Sequence, residues 1–308
     1  MLWFFFFSPM RAHAQLQMPQ AEAPQLELEP RYPQGGQQFT VRLGDYGGAL
    51  GGGTPAWYVD DELVTVDTDA TTITLTAPPI GTPITIEARV GGARVWKAFT
   101  PSEIDIITES NTLAPYFYEG RRVPTLGAPV RLTAIPQLYD TKGVKVPDSA
   151  ITYTWNIDNK NVIVGGGPVL FTTVSGMGSQ LVLLTATALN YEVEYKTVFY
   201  IETAEPSLHF YTVNPLTGLS RNAIRDAYVR AQDEITVRAE PYGLASDIFR
   251  SAQYGWSVNG SAIQNTDTDA GRITLRKQGD GGVSDIAFSV RNLSELSQYA
   301  QNLFQLEF

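Results

Sequence analysis

Alternation of apolar and polar residues at every second position, the signature of a half-buried strand, recurs along this chain in short runs closed by Gly, Pro or Asp. "FTVRLG" (39–44), "TTITLTAP" (71–78), "PITIEARV" (83–90) and "ARVWKAFT" (93–100) come first. "VRLTAIP" (130–136), "PVLFTTVS" (168–175), "SQLVLLTATALN" (179–190) and "VEYKTVFYIET" (193–203) follow. A third set comprises "EITVRAEP" (234–241), "RITLRKQG" (272–279), "SDIAFSVRN" (284–292) and "QNLFQLEF" (301–308). Each set contains a phrase with a Trp, a β-branched residue two positions on, and then Asp, Asn or Gly: "PAWYVDDELV" (55–64), "TYTWNIDNKNV" (152–162) and "QYGWSVNGSAI" (253–263).

Trp57, Trp155 and Trp256 are separated by 98 and 101 residues. Asp67-Thr68-Asp69-Ala70 before Ile73-Thr74-Leu75 returns as Asp267-Thr268-Asp269-Ala270 before Ile273-Thr274-Leu275, an offset of 200. Val130–Pro136 and Ile235–Pro241 match in the same register. Periods near 100 residues are too long for a solenoid, so the repeats are tandem domains. Pro-marked joints near 100–103 and 203–207 divide the chain into domains at 26–100, 101–203 and 204–308, after a Gln-, Pro- and Glu-rich tether at 15–25.

About seven short strands per repeat, with turn signals every 8–12 residues, predict an all-β chain of three antiparallel β-sandwiches. Residues two apart on a strand share a face, so Trp57 with Val59, Trp155 with Ile157 and Trp256 with Val258 point inward. The following polar run turns the chain. With no Cys in the sequence, facing residues such as Val41, Ile86, Leu132 and Val237 must fill the space behind the indoles. One segment departs from the pattern: in 220–234, Ala223, Ile224, Ala227, Tyr228 and Ala231 form a helical stripe, which predicts a short helical insertion in the third domain.

The Trp-x-Val/Ile-Asp/Asn phrase resembles the third strand of bacterial immunoglobulin-like domains, particularly those similar to polycystic-kidney-disease repeats. That family's Gly-Asp-Gly after the Trp strand is replaced here by "DNK" (158–160) and "NGS" (259–261). The third repeat also resembles exported bacterial proteins of tandem sandwich domains. The resemblance implies immunoglobulin-like folds and no particular activity, because such folds host many functions.

Composition then narrows the chemistry. The 308 residues carry 32 acidic and 22 basic side chains, a balance that disfavours nucleic acid. Two histidines and no Cys leave no Ser-His-Asp, Cys-His or multi-His metal site beyond His209 and His13. Adjacent acids at Asp60, Asp61 and Glu62 sit in a turn and define no cleft for glycoside hydrolysis. The D-x-D steps Asp67/Asp69 and Asp267/Asp269 are candidate calcium ligands, since a hard cation wants several oxygens from one loop, although Asp and Thr also favour turns before strands. No other cofactor is expected. "GDGG" (279–282) reads as a hairpin turn.

In "APYFYEGRRVP" (114–124), Tyr116, Phe117 and Tyr118 precede Arg121 and Arg122, the composition of protein-binding hot spots and equally of a domain–domain contact. The expected protein is non-enzymatic. It is an exported array with a structural, adhesive or assembly role, meeting a protein partner on a cell surface, appendage or envelope. The alternative is a secreted carbohydrate-binding protein or accessory module.

The expectation of export, to the periplasm, cell surface or exterior, rests on "MLWFFFFSPMRAHAQ". Nine apolar residues rise only about 14 Å as a helix, too little to span a bilayer. Ala12-His13-Ala14 fits signal peptidase, which makes 1–14 a signal peptide. The intact mass of native protein is expected to start near Gln15; a mass that retains residues 1–14 contradicts this.

Overall fold

A computed structural model of the chain describes residues 23–45, 48–64, 71–158, 160–229, 233–248, 251–265 and 267–308. The first sandwich is built of β1 (Gln25–Glu29), β2 (Gln38–Gly44), β3 (Ala56–Val59), β4 (Glu62–Val64), β5 (Thr72–Thr76), β6 (Ile84–Val90) and β7 (Ala93–Phe99). Its sheets run β1-β2-β5 and β4-β3-β6-β7. The second uses β8 (Glu103–Ser110), β9 (Pro129–Gln137), β10 (Thr152–Ile157), β11 (Lys160–Gly166), β12 (Val169–Thr173), β13 (Ser179–Ala188) and β14 (Val193–Glu202). They are ordered β12-β9-β8 and β11-β10-β13-β14, the same topology. Seven strands split three and four between two facing antiparallel sheets is an immunoglobulin-like sandwich.

The third repeat contains β15 (Ser207–Asn214), β16 (Gly218–Ile224), β17 (Ala227–Val229), β18 (Glu234–Tyr242), β19 (Ala252–Val258), β20 (Ser261–Ile263), β21 (Arg272–Arg276), β22 (Val283–Asn292) and β23 (Tyr299–Glu307). Its sheets are β16-β15-β18-β21 and β17-β23-β22-β19-β20. The two additional strands occupy the described part of the segment predicted as helix, up to Val229, while Ala231 lies outside the described residues. Ile224 pairs with Phe210 on β15, and Ala227 to Val229 run parallel to Gln305 to Glu307 on β23. Cross-strand pairing to two open sheet edges overrides the local helical spacing there. "GDGG" is likewise not a hairpin: β21 and β22 belong to different sheets, so the segment carries the chain across the sandwich.

The three indoles lie between the sheets, with Trp57 and Trp155 0% and Trp256 3% exposed. Val41, Ile86, Leu132 and Val237, the residues expected to face them, are each fully buried. Where an indole N–H would be stranded in this apolar space it donates to a backbone carbonyl, Trp155 to Gly167 at 3.3 Å and Trp256 to Ala270 at 2.9 Å. Leu26 and Leu28 of β1 are also buried, and residues 15–22 of the expected tether lie outside the described residues.

The polar residue three positions after each Trp has a specific task. Asp60, Asp158 and Asn259 stand in the left-handed region, with φ of 49°, 48° and 50°. Each opens a tight turn and ties the Trp strand to the strand beside it. The backbone N–H of Asp60 donates to Thr85 O, that of Asp158 to Leu181 O and that of Asn259 to Asp285 O, at 2.9, 3.0 and 2.9 Å. In return their side-chain oxygens accept the N–H groups of Thr85, Leu181 and Asp285 at 2.8, 3.2 and 2.9 Å. Asp and Asn suit the position because they tolerate positive φ and carry the acceptor.

The chain divides into two compact units: residues up to Pro101 with Thr141–Gly143, and Ser102–Asp140 with Val144–Phe308. The first sandwich is therefore one unit, and the second and third together form the other. Asp60→Ala removes the acceptor and strains the turn, and is expected to destabilise the first sandwich by about 1–3 kcal/mol in thermal unfolding. Asp60→Gly, which keeps the backbone free, should lose less. Equal or reversed losses would contradict the assigned role.

Candidate interaction surfaces

The aromatic connection 114–124 is divided between two environments. Phe117 meets Tyr211 edge-on with ring centres 5.4 Å apart, and Tyr118 meets Tyr242 at 5.5 Å. Tyr242 also packs on His209 at 5.2 Å, and its hydroxyl lies 2.6 Å from that of Tyr211. Phe117 and Tyr118 thus belong to the joint between the second and third sandwiches. Arg121 donates to Thr108 O at 2.6 Å, back on its own sandwich. Arg122 is exposed, and Tyr116 is 78% exposed at the mouth of a cleft of about 680 Å³ that includes Arg238, Glu240, Tyr254 and Asp269.

Backbone pairing completes the joint. Leu113 N donates to Leu244 O at 2.6 Å, Gly243 N to Leu113 O at 3.0 Å and Ser246 N to Asn111 O at 3.0 Å. Gln298, fully buried, spends its amide on both sandwiches: its nitrogen donates to Thr125 Oγ1 at 3.1 Å and to Leu126 O, and its oxygen accepts Ala245 N at 2.5 Å. Thr125 in turn donates to Gly243 O at 2.5 Å. Gly243, at φ +80°, leaves Thr125 Cγ2 only 2.9 Å from where a Cβ would stand, so glycine is required for this approach.

Asp67 and Asp69 lie outside the described residues. Asp267 receives Arg272 through two bonds of 2.7 and 3.0 Å, which holds its carboxyl down at about 2. Asp269 accepts the N–H of Gly271 at 3.1 Å and pairs with Arg238 at 3.4 Å. Guanidinium groups therefore stand where a calcium ion would compete. Among the described residues no group of three or more His, Cys, Asp or Glu side chains is placed to hold a metal ion.

A surface that the sequence pattern did not single out lies on the outward face of β4-β3-β6-β7. Register places Leu63 opposite Tyr58, Tyr58 opposite Glu87 and Glu87 opposite Trp96, in one row across the sheet. Trp96 is 67% and Leu63 63% exposed, and Trp96 is the one exposed Trp among the described residues. Glu87 is almost buried in the middle of the row. It receives Arg94 at 2.5 and 2.8 Å and Arg89 at 2.5 and 3.3 Å. The Arg89 guanidinium stacks 3.8 Å from the centre of the Tyr58 ring. Charge-assisted bonds on both carboxylate oxygens fix the side chains of this face.

No family model matches the chain, and no curated protein matches it in sequence. Among solved structures it aligns with the three N-terminal domains of the bacteriophage RB49 highly immunogenic outer capsid protein, at 13% identity over 92% of this chain and 97% of that one, TM-score 0.24. It aligns with immunoglobulin domains 1–5 of Sidekick-1 at 14% identity over 95% of this chain and 60% of that one, TM-score 0.31. The I9–I11 tandem of titin aligns at 10% identity over 89% and 92%, TM-score 0.26. At these scores the immunoglobulin-like assignment rests on the strand topology.

The guanidiniums of Arg94 and then Arg89 lower the Glu87 carboxyl from 4.5 to about 2. A carboxylate whose folded value is depressed stabilises the fold above its unfolded value and ceases to as pH falls through the folded one. The stability difference between the native chain and Glu87→Gln is therefore expected to be full above pH 4.5 and to shrink towards pH 2. A pH-independent difference in unfolding midpoint would contradict the network.

Proposed function

We propose that the protein is a non-enzymatic, exported tandem immunoglobulin-like array of a bacterial surface or envelope, serving structure, adhesion or assembly through protein–protein contacts. The Trp96 face carries this reading. Trp, Tyr and Arg are the residues that dominate protein-binding energy, and here they lie on an ordered sheet face rather than in a core. The second and third sandwiches, joined as one unit, suit a spacer. Among the described residues no helix is long and apolar enough to cross a membrane. The apolar amino-terminal run with its Ala-His-Ala step supports export.

The same face favours one second reading, a carbohydrate-binding module, because an exposed indole beside Arg side chains can stack on a sugar ring and bond its hydroxyls. The two readings part in experiment. Trp96→Ala is expected to weaken capture of native envelope proteins by about tenfold or more, the effect of a hot spot. Melting of the first sandwich should change little, since Trp96 is exposed. Undiminished capture contradicts the assignment of this face; saturable quenching of Trp96 fluorescence by glycans, without protein capture, favours the second reading.

A further inference from the structure

Register sorts the charged residues of the β4-β3-β6-β7 sheet by face. Glu87, Arg89 and Arg94 stand on the outward side with Trp96: one row runs Leu63, Tyr58, Glu87, Trp96, and the next runs Ala56, Arg89, Arg94. Two guanidiniums therefore meet one carboxylate. In a chain whose net charge is −10, the outward residues of this sheet carry one positive charge in excess.

The hydrogen bonds show where that excess is available. Glu87 Oε1 accepts the Nε–H groups of Arg89 and Arg94, both at 2.5 Å, and Oε2 accepts Nη2 of Arg94 at 2.8 Å and of Arg89 at 3.3 Å. A carboxylate has about four acceptor positions, so that of Glu87 is saturated. A guanidinium has about five N–H donors, and Glu87 engages two on each, which leaves about three on each, those of Nη1 among them. The Arg94 side chain is 62% exposed and that of Arg89 38%, against 10% for Glu87. Asp61, exposed in the turn after β3, acts on Arg94 through space alone. An incoming cation finds no unused carboxylate in this row; an incoming anion finds unused donors.

The apolar groups set the size of the occupant. Arg94 and Trp96 are two apart on β7 and share its outward side. Trp96 on β7 and Leu63 on β4 stand three strand spacings apart, about 14 Å at about 4.8 Å each. A single sugar ring does not reach from one to the other. An extended peptide does, since residues i and i+4 of a strand lie about 13 Å apart on one side with residue i+2 between them.

We propose that this face seats an acidic, extended segment of a protein partner, with a carboxylate on the free donors of Arg94 and Arg89 and apolar side chains on Trp96 and Leu63. The proposal rests on the Trp96 reading and names the chemistry of the partner. Glu87 has the part of a spacer between the two guanidiniums: it holds them side by side, with their remaining donors turned to water.

The probe is the peptide acetyl-Leu-Ser-Asp-Ser-Phe-amide, with Asn or Lys replacing Asp in two controls. Binding to the full chain is followed by the indole N–H resonance of Trp96, assigned by its loss in Trp96→Phe. The Asp peptide is expected to shift that resonance saturably and to bind about fivefold more tightly than the Asn peptide, with the Lys peptide weakest. The preference should shrink as salt is raised, and approach parity in Arg94→Gln, where Glu87 keeps Arg89 and unfolding is followed alongside. The salt series needs no variant. An Asn peptide that binds as tightly as the Asp peptide, a preference untouched by salt, or no saturable shift with any of the three overturns the proposal. So does a saturable shift with polygalacturonate alone, which makes the occupant an acidic glycan. Capture of envelope proteins that depends on Trp96 but is indifferent to salt and to Arg94→Gln defeats this inference alone. Asp-selective peptide binding, with capture undiminished by Trp96→Ala, defeats the Trp96 reading instead.

Discussion

Each sandwich depends on keeping one indole between its sheets with no disulfide behind it, and this requires the Trp strand to hold its register against its neighbour. The left-handed Asp or Asn three residues on supplies that constraint. It closes the turn and clamps the neighbouring strand with one bond from its backbone and one to its side chain. A slip of one residue would exchange the faces of the strand, exposing Trp57 and burying Tyr58. The outward row from Leu63 to Trp96 is thus a consequence of the same clamp that buries Trp57.

A buried polar group sits at the centre of the joint between the second and third sandwiches. A fully buried Gln298 would be costly if any of its bonds failed, and all of its described partners come from main chain or Thr125. That dependence makes the joint specific: it requires a threonine, a glycine at positive φ and a short strand-like pairing at set positions. The aromatic contacts of Phe117 and Tyr118 add area around this polar centre.

The sequence disclosed what depends on alternation and on the turns after each Trp, although "GDGG" (279–282), read as a hairpin, carries the chain between sheets. The buried Trp residues, their facing Val41, Ile86, Leu132 and Val237, and the turns after each Trp were all legible, because strand faces and positive-φ positions are set locally. Residues 220–229 were misread because Ala223, Ile224, Ala227 and Tyr228 have helical spacing; only the open edges of β15 and β23, distant in sequence, decide their conformation. Trp96 was hidden for the converse reason. It alternates correctly within a strand, and nothing local tells whether an outward face will be covered. Tyr116 to Arg122 had the composition of an interface, yet composition does not say whether the surface met is another domain or another molecule, and Phe117 and Tyr118 proved to meet the third sandwich.

The clamp can be measured directly by hydrogen exchange at the backbone amides of Thr85, Leu181 and Asp285. All three residues lie within three positions of the start of their strands, where fraying would ordinarily speed exchange. If the left-handed Asp60, Asp158 and Asn259 fix the register of their sandwiches, these amides will exchange nearly as slowly as the central amides of the same strands. Exchange at the rate of an exposed loop would show that the clamp does not hold the Trp strand, and would contradict the account.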